Sequence, residues 1–233
     1  MIKSVLVAAL ATLTVSLNQL SFAGQNNVQS LKQQLLILAK QTTNLVVKPT
    51  EVRHQLENLA IQMQKHSAPV DENTWKTYAP GSWRQIWSDE RDNSPPGSPS
   101  LDLNNVYQFV RSDGRAVNFG IRQLPDGKKV TFSLEAIGSV SGNIQTTTIL
   151  KGFARMSGLM SGELLSLQSE NILEGLPSEF KEVNLPKFPN GPIGASSPLT
   201  ILYLDESLKI GTAPNAFTGN IELFIVERVS SVN

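Results

Sequence analysis

The sequence predicts a mainly β protein with N-terminal helices, its strands closing into an antiparallel β-barrel of about eight. Three observations carry that expectation. Helical periodicity is confined to residues 28–65, the pattern turns extended after Pro80, and turn signals then recur between short apolar runs with no helical stretch among them. Closing such a sheet removes its edge strands. About eight strands enclose an interior that side chains just fill, or that holds one small ligand.

The first residues read as an address. Lys3 gives a positive start, residues 5–15 are apolar but for small polar side chains, and Ser21 and Ala23 place small residues where signal peptidase reads. A signal peptide over residues 1–23 is therefore expected, cut between Ala23 and Gly24. The apolar run is too short to span roughly 30 Å of hydrocarbon as a helix. The mature chain is expected to be soluble in an exported compartment: a periplasm, a lumen or the extracellular space. Residues 24–70 then form a helical segment and residues 71–233 the barrel domain.

Within the helical segment, Leu31, Leu35, Leu36 and Leu38 fall along one stripe of a helix over residues 28–40. A second helix starts at Pro49-Thr50, where a hydroxyl can accept from a first-turn amide and Glu51 suits the positive helix end. Val52, Leu56, Leu59, Ala60 and Met63 give that helix one apolar face. The face either packs on the domain or lies on a membrane, and its mixed-charge polar side favours packing.

Strands are expected at residues 82–88, 106–111, 116–123, 130–136, 144–153, 164–168, 199–204 and 221–228. Ser112-Asp113-Gly114, Pro125-Asp126-Gly127 and Ser141-Gly142-Asn143 supply turns between them. Residues 89–100 and 186–198 are rich in Pro, Gly, Ser and Asn, and are expected to be loops. Val130, Phe132, Leu134 and Ala136 alternate with Thr131, Ser133 and Glu135, which predicts one face on a core and one in water.

Composition narrows the function. Hydrophobic residues make up 40% and charged residues 17%, enough apolar material for a core and too little charge for a disordered chain. Basic and acidic residues are 20 each. No basic excess exists to displace counterions from a phosphate backbone, so no nucleic-acid partner is expected. Cysteine is absent, which removes disulfides, thiolate metal sites and thiol nucleophiles. His54 and His66 are the only histidines and sit in no metal or triad motif. No nucleophile elbow or phosphate-cradling loop occurs either. No catalytic residue, metal or cofactor is expected.

Three stretches carry a family resemblance. Gly81-Ser82-Trp83, continuing to Ile86-Trp87-Ser88, is similar to the Gly-x-Trp opening of lipocalin-like barrels and to the first strand of the plastid lipid-associated protein (fibrillin) family. Residues 200–210, Thr-Ile-Leu-Tyr-Leu-Asp-Glu-Ser-Leu-Lys-Ile, resemble that family's closing motif, with Lys209 where the family carries arginine. Val106-Tyr107-Gln108 and Val117-Asn118 resemble its central strand pair. The resemblance spans about residues 28 to 228. It implies a lipocalin-like barrel, a lipid or other small apolar molecule as partner, possible peripheral membrane association and no catalytic residues.

Against that background the aromatic residues are the candidate ligand contacts. Tyr107, Phe109, Phe119, Phe132, Leu134, Phe153, Tyr203 and Phe224 are the expected interior side chains, with Trp83 and Trp87 on the first strand. They either fill the barrel or line an apolar pocket. Gly81 is read as a tight turn at the barrel end and Trp83 as its plug, with Lys209 or Arg228 across the indole face. Asp205 is read as a turn carboxylate that caps backbone amides and pairs with Lys209.

Overall fold

The computed structural model describes residues 28–45, 48–89, 100–155, 180–188, 192–214 and 219–229. The leader over residues 1–23 and the strand expected at 164–168 lie outside them, as does most of the 89–100 loop.

Helix α1 (Val28–Thr42) buries Leu31, Leu35, Leu38, Ala39 and Thr42, and α2 (Thr50–Lys65) buries Val52, Leu56, Ala60 and Met63. These three- and four-residue steps put each apolar stripe on one face. The α2 N-cap is Pro49, in an extended conformation and without a side-chain cap, so the Thr50 hydroxyl does not serve as one. A third helix, α3 (Glu72–Tyr78), is capped by the Asp71 side chain accepting from Thr74 N at 2.8 Å. It lies in the stretch expected to belong to the barrel domain.

Nine strands follow among the described residues: β1 (Gly81–Ser88), β2 (Ser100–Val110), β3 (Arg115–Gln123), β4 (Lys129–Ser141), β5 (Ile144–Arg155), β6 (Lys181–Val183), β7 (Ser196–Leu204), β8 (Leu208–Pro214) and β9 (Ile221–Arg228). Neighbours run β4-β3-β2-β1-β9-β8-β7-β5, and a β4–β5 pairing closes these eight into a ring. Every pairing between these strands is antiparallel. The predicted class, mainly β with N-terminal helices and an antiparallel barrel of about eight strands, is what forms. Strand β5 divides its second edge, giving residues 144–148 to β7 and residues 152–154 to the short β6.

Strand β8 was not expected. Its apolar run is short, carries Gly211 and ends at Pro214, so it reads as a continuation of the turn after Asp205. It becomes a strand because β7 and β9 offer it ladders on both sides. Strand β7 likewise starts at Ser196, inside the stretch expected to be loop.

The sheet has apolar residues on both faces. Outside the ring, α1 and α2 pack on Ile86, Trp87, Tyr203, Leu208, Ile210, Leu223 and Ile225. The helices' apolar stripes are thus spent on the barrel. The Trp87 indole donates to Thr42 Oγ1 at 3.0 Å, pinning α1 to β1. Arg53 of α2 pairs with Asp89 at 2.9 Å, and Asp89 also accepts from Leu223 N at 2.6 Å. Inside, a second cluster of Val70, Trp75, Ala79, Trp83, Val110, Ala116, Ile201 and Leu204 closes one end of the ring, with α3 as the plug.

Candidate functional site

Residues directly opposite in an antiparallel ladder project to the same face, so the register identifies the interior. Trp83 faces Gln108 and Arg228, Gln108 faces Asn118, and Asn118 faces Leu134. Gln85 faces Val226, which faces Lys209. These positions all look inward. Above the Trp83 plug they surround a cavity of about 410 Å³ whose wall includes Leu101, Val106, Phe132, Leu134, Leu199, Phe224 and Val226. These apolar side chains are only partly buried, whereas Thr131 and Ser133 on the other face of β4 are 0% exposed. The face of β4 expected to lie on a core does look inward, with Ala136 buried on it, but the face expected in water is buried as well. The inner face borders open space, and the outer one lies under further chain, since Ser133 sits opposite Phe119, against whose ring Phe180 packs edge-on at 5.8 Å.

The predicted contacts divide accordingly. Phe132, Leu134 and Phe224 stand on the cavity wall. Trp83 is completely buried beneath it, its Nε1 donating to Ala79 O at 2.8 Å. Tyr107 and Phe119 contribute to the wall, but the register puts them on the face opposite Gln108 and Asn118. Phe109 shares that outer face, edge-on to Phe119 at 5.4 Å, and Phe153, opposite Ser133, does too. Trp87 and Tyr203 belong to the helix-facing cluster.

Two β-bulges explain the last pair. The register slips between Gln85 and Trp87 on β1 and between Ile201 and Tyr203 on β7. Strict alternation from Trp83 and Gln85, or from Leu199 and Ile201, would aim Trp87 and Tyr203 inward. One extra residue flips each to the other side. The polar lining Gln85, Gln108 and Asn118 escaped sequence reasoning. Its signal was the parity of these residues with Trp83 and Leu134, which the turns do not fix.

The cavity floor is cationic. Lys209 Nζ lies 5.1 Å and Arg228 Cζ 4.4 Å from the centre of the Trp83 ring, so both candidate cations occupy the indole faces. Lys209 is 5% exposed and donates to Gln108 Oε1, while Gln108 Nε2 donates to Asn118 Oδ1 at 2.9 Å. Burial, assisted by the repulsion of Arg228, pushes the Lys209 ammonium down to about 7. Arg228 donates to three carbonyls, Glu206 O, Tyr78 O and Pro80 O, the last at 2.7 Å. It thereby ties the end of α3 to β9 with the fork geometry that guanidinium provides.

Asp205 does cap a turn, accepting from Ser207 N and Leu208 N at 2.8 Å each. Its ion-pair partner is not Lys209, which points into the barrel, but Lys32 of α1 at 2.6 Å; Tyr203 also donates to it at 2.8 Å. Burial alone would raise this carboxyl, yet the hydrogen bonds from Lys32, Ser207 and Tyr203 prevail and hold it below its ordinary range. Among the described residues, no group of three or more His, Asp or Glu side chains converges as metal ligands would.

Fold and site together define a closed antiparallel barrel with a largely apolar hollow above a cationic floor. No family model matches the chain, and no curated protein does. Among solved structures it is similar to a lipocalin-like protein from Bacteroides uniformis, at 16% identity and a TM-score of 0.30 over 64% of this chain and 97% of that one.

Proposed function

We propose that the protein is a non-catalytic binder of lipids or other small apolar molecules, working in an exported compartment. The observation that carries this reading is the cavity of about 410 Å³. Its volume lies in the range of small-molecule sites, its wall is mainly aliphatic and aromatic, and a few polar groups converge at one end. Burying apolar ligand surface at ~25 cal/mol per Å² supplies affinity with few directed contacts. Among the described residues the lining contains no carboxylate or histidine, which supports binding over acid–base chemistry. The likeness of residues 81–88 and 200–210 to the plastid lipid-associated family points the same way, and the leader-like residues 1–23 support export.

The test is extraction of the purified protein for bound lipid, followed by titration with a fluorescent fatty-acid analogue. Co-purifying lipid, or a saturable rise in probe fluorescence, is expected. A protein that is empty as isolated and leaves the probe unchanged sinks the reading. N-terminal sequencing of the cell-fractionated protein tests export separately, and a chain that keeps Met1 counts against it.

A further inference from the structure

Three polar groups of the cavity, Lys209, Gln108 and Asn118, are joined by hydrogen bonds. The Lys209 ammonium has three donors. One reaches Gln108 Oε1, and the group lies against the Trp83 ring. Trp83 of β1, Gln108 of β2 and Arg228 of β9 are its neighbours across the floor, and Arg228 is the one charged group among them. Among the described residues no carboxylate forms an ion pair with Lys209. The hydrogen bonds run in one direction, from Lys209 to Gln108 to Asn118. With its oxygen engaged, Asn118 offers the cavity its NH2. Arg122, the other cation of the lining, has partners of its own. Lys209 therefore presents its charge, among the described residues, with no carboxylate paired to it, beneath an apolar wall. A buried ammonium in that state is costly, and a ligand that brings the opposite charge relieves the cost.

We infer that the ligand is an amphipathic monocarboxylate whose head sits on Lys209 and the Asn118 amide, with its tail along Phe132, Leu134, Leu199 and Phe224. This rests on the apolar-binding reading above and specifies its ligand. Two carboxylate oxygens match the two donors, and the space beyond them is apolar. Because burial and Arg228 bring the free ammonium down to about 7, a bound carboxylate that restores the charged form draws in a proton near neutral pH.

Isothermal titration of the purified protein with decanoic acid and with decanol separates the claims. Decanoate is expected to bind at least about tenfold more tightly than decanol. Its heat near neutral pH is expected to vary with the ionisation enthalpy of the buffer, revealing proton uptake. In Lys209→Met, and in Lys209→Gln should the first fail to fold, acid and alcohol are expected to bind alike with no buffer dependence. If the wild-type protein binds decanol as tightly as decanoate, or if the acid preference survives in the Lys209 variants, the carboxylate inference is overturned and apolar binding stands. If neither compound binds, both fall.

Discussion

The Arg228 guanidinium occupies the space that a side chain on Gly81 would need: a Cβ placed there would come within 1.9 Å of Nη1. Gly81 also has a φ of 134°, which L side chains rarely adopt. Glycine at the start of β1 therefore lets the arginine reach Pro80 O and cover Trp83. Gly81→Ala is expected to cost upwards of about 2 kcal/mol from backbone strain and displacement of the arginine. Because Arg228→Ala frees that space, the double variant is expected to lose less than the sum of the two singles by about 0.5–3 kcal/mol. Additive losses in urea unfolding would contradict the packing.

Thr42 accepts from the buried Trp87 indole and itself donates to Leu38 O at 2.7 Å. Thr42→Val keeps the shape but leaves the indole N–H without its acceptor, and about 1–3 kcal/mol of stability is expected to go with it. Thr42→Ser restores the hydroxyl and should recover most of that loss. Equal unfolding midpoints for valine and serine would show that the hydrogen bond contributes nothing.

Lys209 makes stability depend on pH on the alkaline side of neutrality. Its ammonium titrates at about 7 in the folded protein against 10.5 when exposed. Between those values the unfolded chain binds more protons, so stability rises with pH; the contribution is complete above the unfolded value and is lost as pH falls through the folded one. Urea unfolding from about pH 7 to pH 9 should show this rise in the wild type and not in Lys209→Met.

Asp205 acts at the acidic end. Its folded carboxyl is held below the ordinary 3.8, so its stabilisation is present above that value and lost as pH falls through the folded one. Asp89 has the opposite sign. Burial outweighs the Leu223 amide and Arg53 and raises it, so its contribution is present below 3.8 and lost as pH rises through its folded value. The difference isolates Asp205: Asp205→Asn is expected to cost about 1–3 kcal/mol near neutral pH. That gap should narrow as the pH drops below about 4. A gap constant down to pH 2 would rule the Lys32 ion pair out as its source.

The placement of strands was largely legible because turn chemistry is local. Ser112-Asp113-Gly114 and Ser141-Gly142-Asn143 set hairpins whose strands pair as the residues suggest. Which side of each strand faces the hollow was much less so. Tyr107, Phe109 and Phe119 form the more apolar face of β2 and β3, yet Val106, Gln108, Asn118 and Gly120 line the cavity. A hydrophobic side identifies the interior only when the sheet has a single core. Here the outer face is also buried, and the bulges before Trp87 and Tyr203 reverse parity within a strand. A cation from Lys209 or Arg228 across Trp83 was readable since Gly81 fixes the strand's start; that both take up the ring was not. Lys32 as the partner of Asp205 was not, because the pair is 173 residues apart.

The link between Arg228 and Pro80 spans 148 positions, and it seals the end of the barrel where the first strand begins. Strand β1 lacks one of its two neighbours until β9 has been made. During synthesis the hairpins from β2 to β5 can form early, while the floor stays unsealed and the first edge unmated. Loop closure over such a distance carries an entropic cost before any contact repays it, and folding dominated by distant pairing runs on the millisecond-to-second scale. The nascent chain thus keeps its ring open until its last strand emerges, and so passes through an interval when it is still threadable.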